Sequence, residues 1–265
     1  MEGQTIIITG ASRGLGAAAA QVAARLGINV VLNARSAGDL EAVAQSIRET
    51  GGTAIAVPGD ISQLEDCRAV VQEALDHYGR LDALINNAGI IEPIAPIADA
   101  DPAVWGENLA INVLGPMMLT QAALPHLRRN QGRVINVSSG AAVNAMPGWS
   151  AYCAAKSALN HFNNVLAIEE TAITAIAFRP GVVDTEMQSV IRQEGAGGMP
   201  ESAHARFVAY HEQGELLPPE VPGMALAIVA LHAPAEWSGE FVAWDEERVQ
   251  ALVVQFGAAG AGLDI

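Results

Sequence analysis

Thr5-Ile6-Ile7-Ile8-Thr9-Gly10-Ala11-Ser12-Arg13-Gly14-Leu15-Gly16 is the stretch that decides the fold. Its first five residues are a short β-branched run, the pattern of a strand buried on both faces. The residues that follow, Ala17 to Leu26, are Ala-rich and read as a helix. Glycines at 10, 14 and 16 lie between the two. Backbone without Cβ turns tightly and lets an anion come close, and the following helix offers unpaired N–H groups at its positive end. The spacing is not G-x-G-x-x-G. Three glycines also suit an ordinary strand-to-helix turn. Their position at the first βα turn favours a dinucleotide pyrophosphate.

The alternation continues outward from there. Asn29 to Asn33 is strand-like, Asp39 to Glu49 helical and Ala54 to Val57 strand-like. Ser62 followed by Glu65 has the spacing of a capping box for the next helix. Ala83-Leu84-Ile85 and Val134-Ile135-Asn136-Val137 are further buried-strand candidates. Strands alternating with helices predict an α/β fold, a parallel sheet with helices on both faces. No internal boundary or repeat interrupts residues 1–265, so one domain is expected. Glu194 to Pro200 reads as a mobile loop, and Gly257 to Ile265 as a tail that frays or reaches a partner subunit.

Composition narrows the function classes. The chain has 265 residues, 51% hydrophobic and 16% charged, with a net charge of −15. Such an acidic surface repels phosphate backbones, which argues against nucleic acid. Cys67 and Cys153 are too few for a disulfide framework, and the six histidines lack ligand spacing, so no metal is expected. No apolar run approaches the ~18 residues of a membrane span. Met1-Glu2-Gly3-Gln4 runs straight into the first strand without a signal peptide, and a reducing cytoplasm is the expected location.

About 20 residues beyond the glycines, an NAD-binding chain presents an acid for the ribose 2′-hydroxyl. Here the sequence is Asn33-Ala34-Arg35-Ser36. A guanidinium in place of a carboxylate holds a 2′-phosphate, and Arg13 in the glycine loop can reach the same group. Two solvated surface arginines are the plainer alternative. Only 14 residues of the chain are basic, however, and two of them fall here. NADP(H) is the expected cofactor.

Five motifs occur in one register: Thr9-Gly10-x-x-x-Gly14-x-Gly16, Asn86-Asn87-Ala88-Gly89, Ser138-Ser139, Tyr152-x-x-x-Lys156 and Pro180-Gly181. Together they resemble the short-chain dehydrogenase/reductase family, in its compact single-domain branch, over almost the whole chain. The resemblance implies a Rossmann fold, a doubly wound sheet of seven parallel strands, the last near Glu240 to Ala243. It implies that Gly10, Ser12, Arg13, Gly14, Leu15 and Gly16 hold the cofactor together with Arg35. Asp60 and Ile61 would flank the adenine, and Asn87, Ala88 and Gly89 would line the cofactor channel. Pro180, Gly181, Val183 and Thr185 would hold the nicotinamide. Asn112, Ser139, Tyr152 and Lys156 would form the catalytic tetrad, with Tyr152 and Lys156 also touching the cofactor.

These residue types suit hydride transfer to a carbonyl, which builds negative charge on oxygen. Tyr152 can give a proton. Lys156, four residues on, lies one helical turn away on the same face. Its charge is expected to lower the pKa of the phenol from ~10. Ser139 would donate to the substrate oxygen, and Asn112 would hold a water that relays protons to Lys156. Each residue alone also fits a packed helix or strand end.

Substrate contacts are expected from Ser139, Ala141, Met146, Trp149, Tyr152 and Met187, with a lid over residues 186–217. These are mostly apolar or small, which suggests an uncharged, partly hydrophobic ketone, diketone or aldehyde. The ending Trp237-Ser238-Gly239-Glu240-Phe241-Val242-Ala243-Trp244 is similar to the sepiapterin- and benzil-reducing members of the family. The resemblance implies a homodimer or homotetramer, paired through helices around Pro102 to Arg129 and Ala151 to Thr171. Two rivals share features: a non-catalytic NADP(H) sensor, which tends to lose the tyrosine or lysine kept here, and a sugar-nucleotide epimerase, which is longer and has differently spaced glycines.

Overall fold

Strand β1 (Thr5–Thr9) is buried along its whole length. Its side chains alternate between two cores: Ile6 and Ile8 enter one and Ile7 the other. That is the geometry of a central strand with helices on both faces. The computed structural model describes residues 3–257. The expected 258–265 portion of the tail lies outside them.

The remaining strands are β2 (Asn29–Ala34), β3 (Thr53–Pro58), β4 (Ala83–Asn86), β5 (Arg133–Val137), β6 (Thr174–Arg179) and β7 (Phe241–Ala243). All seven pair in parallel in the order β3-β2-β1-β4-β5-β6-β7. The order reverses between β1 and β4. In doubly wound sheets the crevice beyond the strand ends at such a reversal is where ligands bind. Pro58 ends the edge strand β3, where its missing N–H costs nothing.

One face carries α1 (Gly14–Arg25), α2 (Ala37–Glu49) and α9 (Glu220–His232), whose apolar residues join Ile6, Ile8 and Val30. The opposite face carries α3 (Leu64–Tyr78), α5 (Gly115–Asn130) and α6 (Ser150–Glu169) around Ile7, Val31 and Leu84. Helix α4 (Pro102–Leu109) runs into α5 through a π turn, Ala110–Leu114. A buried amide chain ties the second face to the sheet. Asn86 donates to Asn136 at 2.9 Å, and Asn136 donates to Asn163 of α6 at 3.1 Å.

Two local expectations are corrected. Ser62 does not cap α3: the helix starts after Gln63 with no side-chain cap, and the Ser62 N–H instead donates to Asp60 Oδ1. The short Asx turn closes first and takes the capping geometry away from Ser62. Glu194 to Pro200 is not a mobile loop. Helix α7 (Glu186–Gly198) runs through most of it, followed by α8 (Glu201–Glu212). Two of the glycines there, Gly195 and Gly198, serve packing. A Cβ on Gly198 would stand 1.9 Å from the Ile94 carbonyl oxygen, so only glycine lets these backbones touch. Helix α10 (Glu247–Leu252) and the π turn Val253–Gly257 close the described chain against α9.

Candidate active site

The loops after β1, β2, β4, β5 and β6 open into one cleft of about 1060 Å³. Its floor is the reversal point of the sheet. Gly10 has φ +63°, and a Cβ there would stand 2.9 Å from Ala88 Cα. The Asn87 amide donates to the Thr9 and Gly10 carbonyls at 2.9 and 3.2 Å. Thr9 Oγ1 accepts from the Asn87 and Ala88 N–H groups. The two central loops are thereby locked together. Gly16 does not face the cleft. It lies beneath the turn, where a Cβ would come within 2.5 Å of the Gly10 oxygen.

Helix α1 begins at Gly14 without a side-chain cap and without an acid in its first turn. Its free N–H groups suit an anion at this point of the cleft. Thr185, at the start of α7, approaches from the other side: a Gly14 Cβ would meet Thr185 Cγ2 at 3.1 Å. Any larger residue at 14 would narrow the space between loop and helix. Ser12, Leu15, Asp60, Ile61, Gly89, Pro180, Gly181 and Val183 line the same cleft. Arg13 and Arg35 are exposed at its rim, and neither forms an ion pair among the described residues. Asp39, also on the rim, accepts from the Ser36 hydroxyl at 2.7 Å. These features fit a dinucleotide laid across the sheet.

At the other end the structure brings Ser139, Tyr152 and Lys156 together. Ser139 caps a 3₁₀ turn, accepting from the Ala141 N–H at 3.2 Å, so its own O–H is free to donate. Tyr152 and Lys156 lie one turn apart on α6, with Lys156 Nζ 5.6 Å from the tyrosine ring centroid. Lys156 donates to the Val137 carbonyl at 2.8 Å. Burial lowers its pKa to about 8. Burial pushes the Tyr152 phenol up to about 12, against a smaller downward pull from hydrogen bonding with Ser139. The expected lowering by Lys156 is therefore not what the protein groups alone produce. Desolvation of the phenolate dominates the shift.

Asn112 sits in the π turn, fully buried and behind the cleft wall rather than on it. Its Nδ2 donates to the Ile90 carbonyl at 2.8 Å and to Asn108 Oδ1 at 2.9 Å. Its Oδ1 has no partner among the described residues. The point where a Gly89 Cβ would stand is 2.6 Å from that oxygen and 3.5 Å from Lys156 Nζ. Glycine at 89 keeps the path between the two groups open, leaving room at that point for a bridging group.

Ala141, Met146, Trp149 and Met187 all line the same cleft. Sequence reasoning missed Phe207, Tyr210 and Arg206 of α8, and Trp244 beyond β7, which line it too. Trp149 packs edge-on to Tyr152 at 6.0 Å and against Phe207 at 5.1 Å. No motif marks these residues, because their place in the site comes from helix docking. Among the described residues no group of His, Cys, Asp or Glu could hold a metal, and no helix is long and apolar enough to cross a membrane.

Comparison with known proteins agrees with this geometry. A family model described as short chain dehydrogenase matches residues 4–196. An uncharacterized oxidoreductase of Schizosaccharomyces pombe is 36% identical over 91% of this chain and 96% of its own length. Benzil reductase ((S)-benzoin forming) of Saccharomyces cerevisiae is 34% identical over 93% of this chain and 98% of its own. The crystal structure of YIR035C, a short chain dehydrogenase/reductase from Saccharomyces cerevisiae, superposes with a TM-score of 0.90 at 33% identity, covering 94% of this chain and 99% of that one. The KRED1-Pglu enzyme superposes with a TM-score of 0.86 at 38% identity, over 90% and 100%.

Proposed function

The chain belongs to the short-chain dehydrogenase family of oxidoreductases, and from that premise we propose that it is an NADP(H)-dependent reductase of small hydrophobic ketones, diketones or aldehydes. The observation that carries this is the polarity of one cleft. Arg13 and Arg35, without an ion-pair partner among the described residues, mark one end, and Ser139, Tyr152 and Lys156 the other. The nicotinamide, when bound, supplies the hydride to the carbonyl carbon or takes it back from the alcohol.

The chain's own residues handle the oxygen. Ser139 donates its free O–H to the carbonyl oxygen and orients it. Tyr152 delivers the proton as negative charge builds there. Its burial keeps it a phenol at neutral pH, which suits the reducing direction. Lys156, fixed by the Val137 carbonyl, holds the ribose hydroxyls and stabilises the tyrosinate left after transfer. Asn112 Oδ1 positions the water that returns a proton through Lys156. Asp60 and Ile61 flank the adenine, and Pro180, Gly181, Val183 and Thr185 hold the nicotinamide end. Arg35, with Arg13, takes the 2′-phosphate.

Apolar walls at Ala141, Met146, Trp149 and Met187 support a hydrophobic substrate, and the relative named for benzil reduction supports a carbonyl. Residues 186–217, which contain α7 and α8, form the lid of a single domain spanning the chain. Exposed Val165 and Ile168 on α6, with Leu114 at the π turn, support a homo-oligomer paired through this face. A cytoplasmic enzyme is the consistent setting. The test is a ketone and aldehyde panel assayed with NADPH and NADH in parallel. Oxidation of NADPH in preference to NADH by at least one hydrophobic carbonyl is expected. Turnover confined to NADH would remove the cofactor assignment.

A further inference from the structure

We infer that Arg206 is a specificity-determining residue that selects substrates carrying a second sp² oxygen, a carboxylate or a carbonyl, on the part of the molecule that lies across the aromatic wall from the carbonyl that is reduced. The inference rests on the reading of Tyr152 as the proton donor.

Three successive contacts lead from the phenol to the guanidinium. Tyr152 meets Trp149 at 6.0 Å, Trp149 meets Phe207 at 5.1 Å, and Arg206 Cζ lies 5.3 Å from the Phe207 ring centroid. The cation–π contact holds an exposed side chain in place at the cleft rather than in open solvent. Arg206 has no carboxylate partner among the described residues, in a chain with 29 acidic residues to supply one. Arg48, Arg68, Arg80, Arg128 and Arg248 all have such partners. The acid that lines the cleft at the loop after β4, Glu92, is turned to its own backbone: its Oε2 accepts from the Ile91 N–H at 2.9 Å. The wall between phenol and guanidinium is formed by the Trp149 and Phe207 rings, against which an apolar part of a substrate packs. A fork of N–H donors at the far end then accepts an oxygen, bidentately if that oxygen belongs to a carboxylate. Tyr210, one turn along α8 from Arg206, lines the same end.

The test uses three probes of similar shape: 4-acetylbenzoate, 4-acetylbenzamide and 4-isopropylacetophenone. Wild type should favour one or both oxygen-bearing probes over the isopropyl compound by about tenfold or more in kcat/KM, the range of a charge-assisted hydrogen bond. Arg206→Met should bring the ratio close to one, through a rise in KM for the two oxygen-bearing probes. Arg206→Lys should retain preference for the benzoate above that for the benzamide, because a point charge replaces a planar fork. Arg206 is exposed, so neither variant threatens folding. A preference that survives Arg206→Met intact, or is missing in wild type while all three probes turn over, overturns the inference and leaves the reductase reading standing. Wild type that reduces none of the three, with either nucleotide, overturns both.

Discussion

Lys156 Nζ lies 5.6 Å from the centre of the Tyr152 ring and is fixed there by the Val137 carbonyl at 2.8 Å. Burial moves the two groups apart on the pH scale, the phenol from 10.0 up to about 12 and the ammonium from 10.5 down to about 8. Both are protonated at neutral pH, as a proton donor and its electrostatic support must be for reduction. Lys156 loses its proton first, so reductive kcat/KM, which reports the free enzyme, should fall as pH rises through about 8. Stability should not fall with it. The folded value lies below the ordinary 10.5, so between about 8 and 10.5 the unfolded chain binds more protons, and this group makes folding more favourable as pH rises. A pH–rate profile flat through that window, or one that tracks loss of Tm, would contradict the assignment.

The rim arginines test cofactor choice. Arg35→Asp would place a carboxylate beside Asp39, where a 2′-phosphate is expected to bind. The NADPH/NADH ratio of kcat/KM should drop by one to two orders of magnitude, matching ~1.5–3 kcal/mol for a hydrogen bond to a charged group. An unchanged ratio would place the 2′-phosphate elsewhere.

Neighbouring glycines in α7 should respond with opposite signs. A Cβ on Gly198 would strike the Ile94 carbonyl oxygen at 1.9 Å, whereas nothing lies within 4 Å of one on Gly197. Gly198→Ala should therefore destabilise by ~1–3 kcal/mol through overpacking. Gly197→Ala should stabilise by ~0.5–1 kcal/mol through helix propensity. Denaturant unfolding of the two variants reads both. Equal effects would mean that α7 does not pack as described.

Much of this was legible from residue pattern. The β-branched runs, the glycine turn and Arg35 each act locally, and each marks its own place in the fold. The unbroken β-branched run also foretold the double-sided burial of Ile6, Ile7 and Ile8. What escaped depends on contacts between distant segments. Glu194 to Pro200 has loop composition, yet it is helical through Gly198, where the backbone packs on Ile94 and Gly148. The Ser62 cap loses to an Asx turn only three-dimensional placement reveals. Phe207 and Arg206 carry no motif and reach the cleft because α8 docks on Trp149. The direction of the Tyr152 shift depends on burial, which a tyrosine–lysine spacing does not encode.

A second titration concerns the far side of the sheet. His232 stacks on Phe256 with centroids 3.7 Å apart and planes within 7°. Burial, aided by the Arg133 charge, lowers its pKa from 6.5 to about 4. Its contribution to stability is complete above pH 6.5 and is lost as pH falls towards 4, because the unfolded chain takes up the proton first. His232→Phe keeps a stacked ring without the titration, so its Tm should vary less with pH over this interval. Identical slopes for variant and wild type would mean that His232 titrates normally.

The most direct measurement concerns one oxygen atom. Tyr152→Phe keeps the ring packed on Trp149 and removes only the hydroxyl. NADPH affinity of the variant should match wild type, while kcat for ketone reduction should fall by about 10²-fold or more, the contribution typical of a positioned general acid. A variant that binds NADPH normally and still reduces ketones at the wild-type rate would contradict the account at its centre.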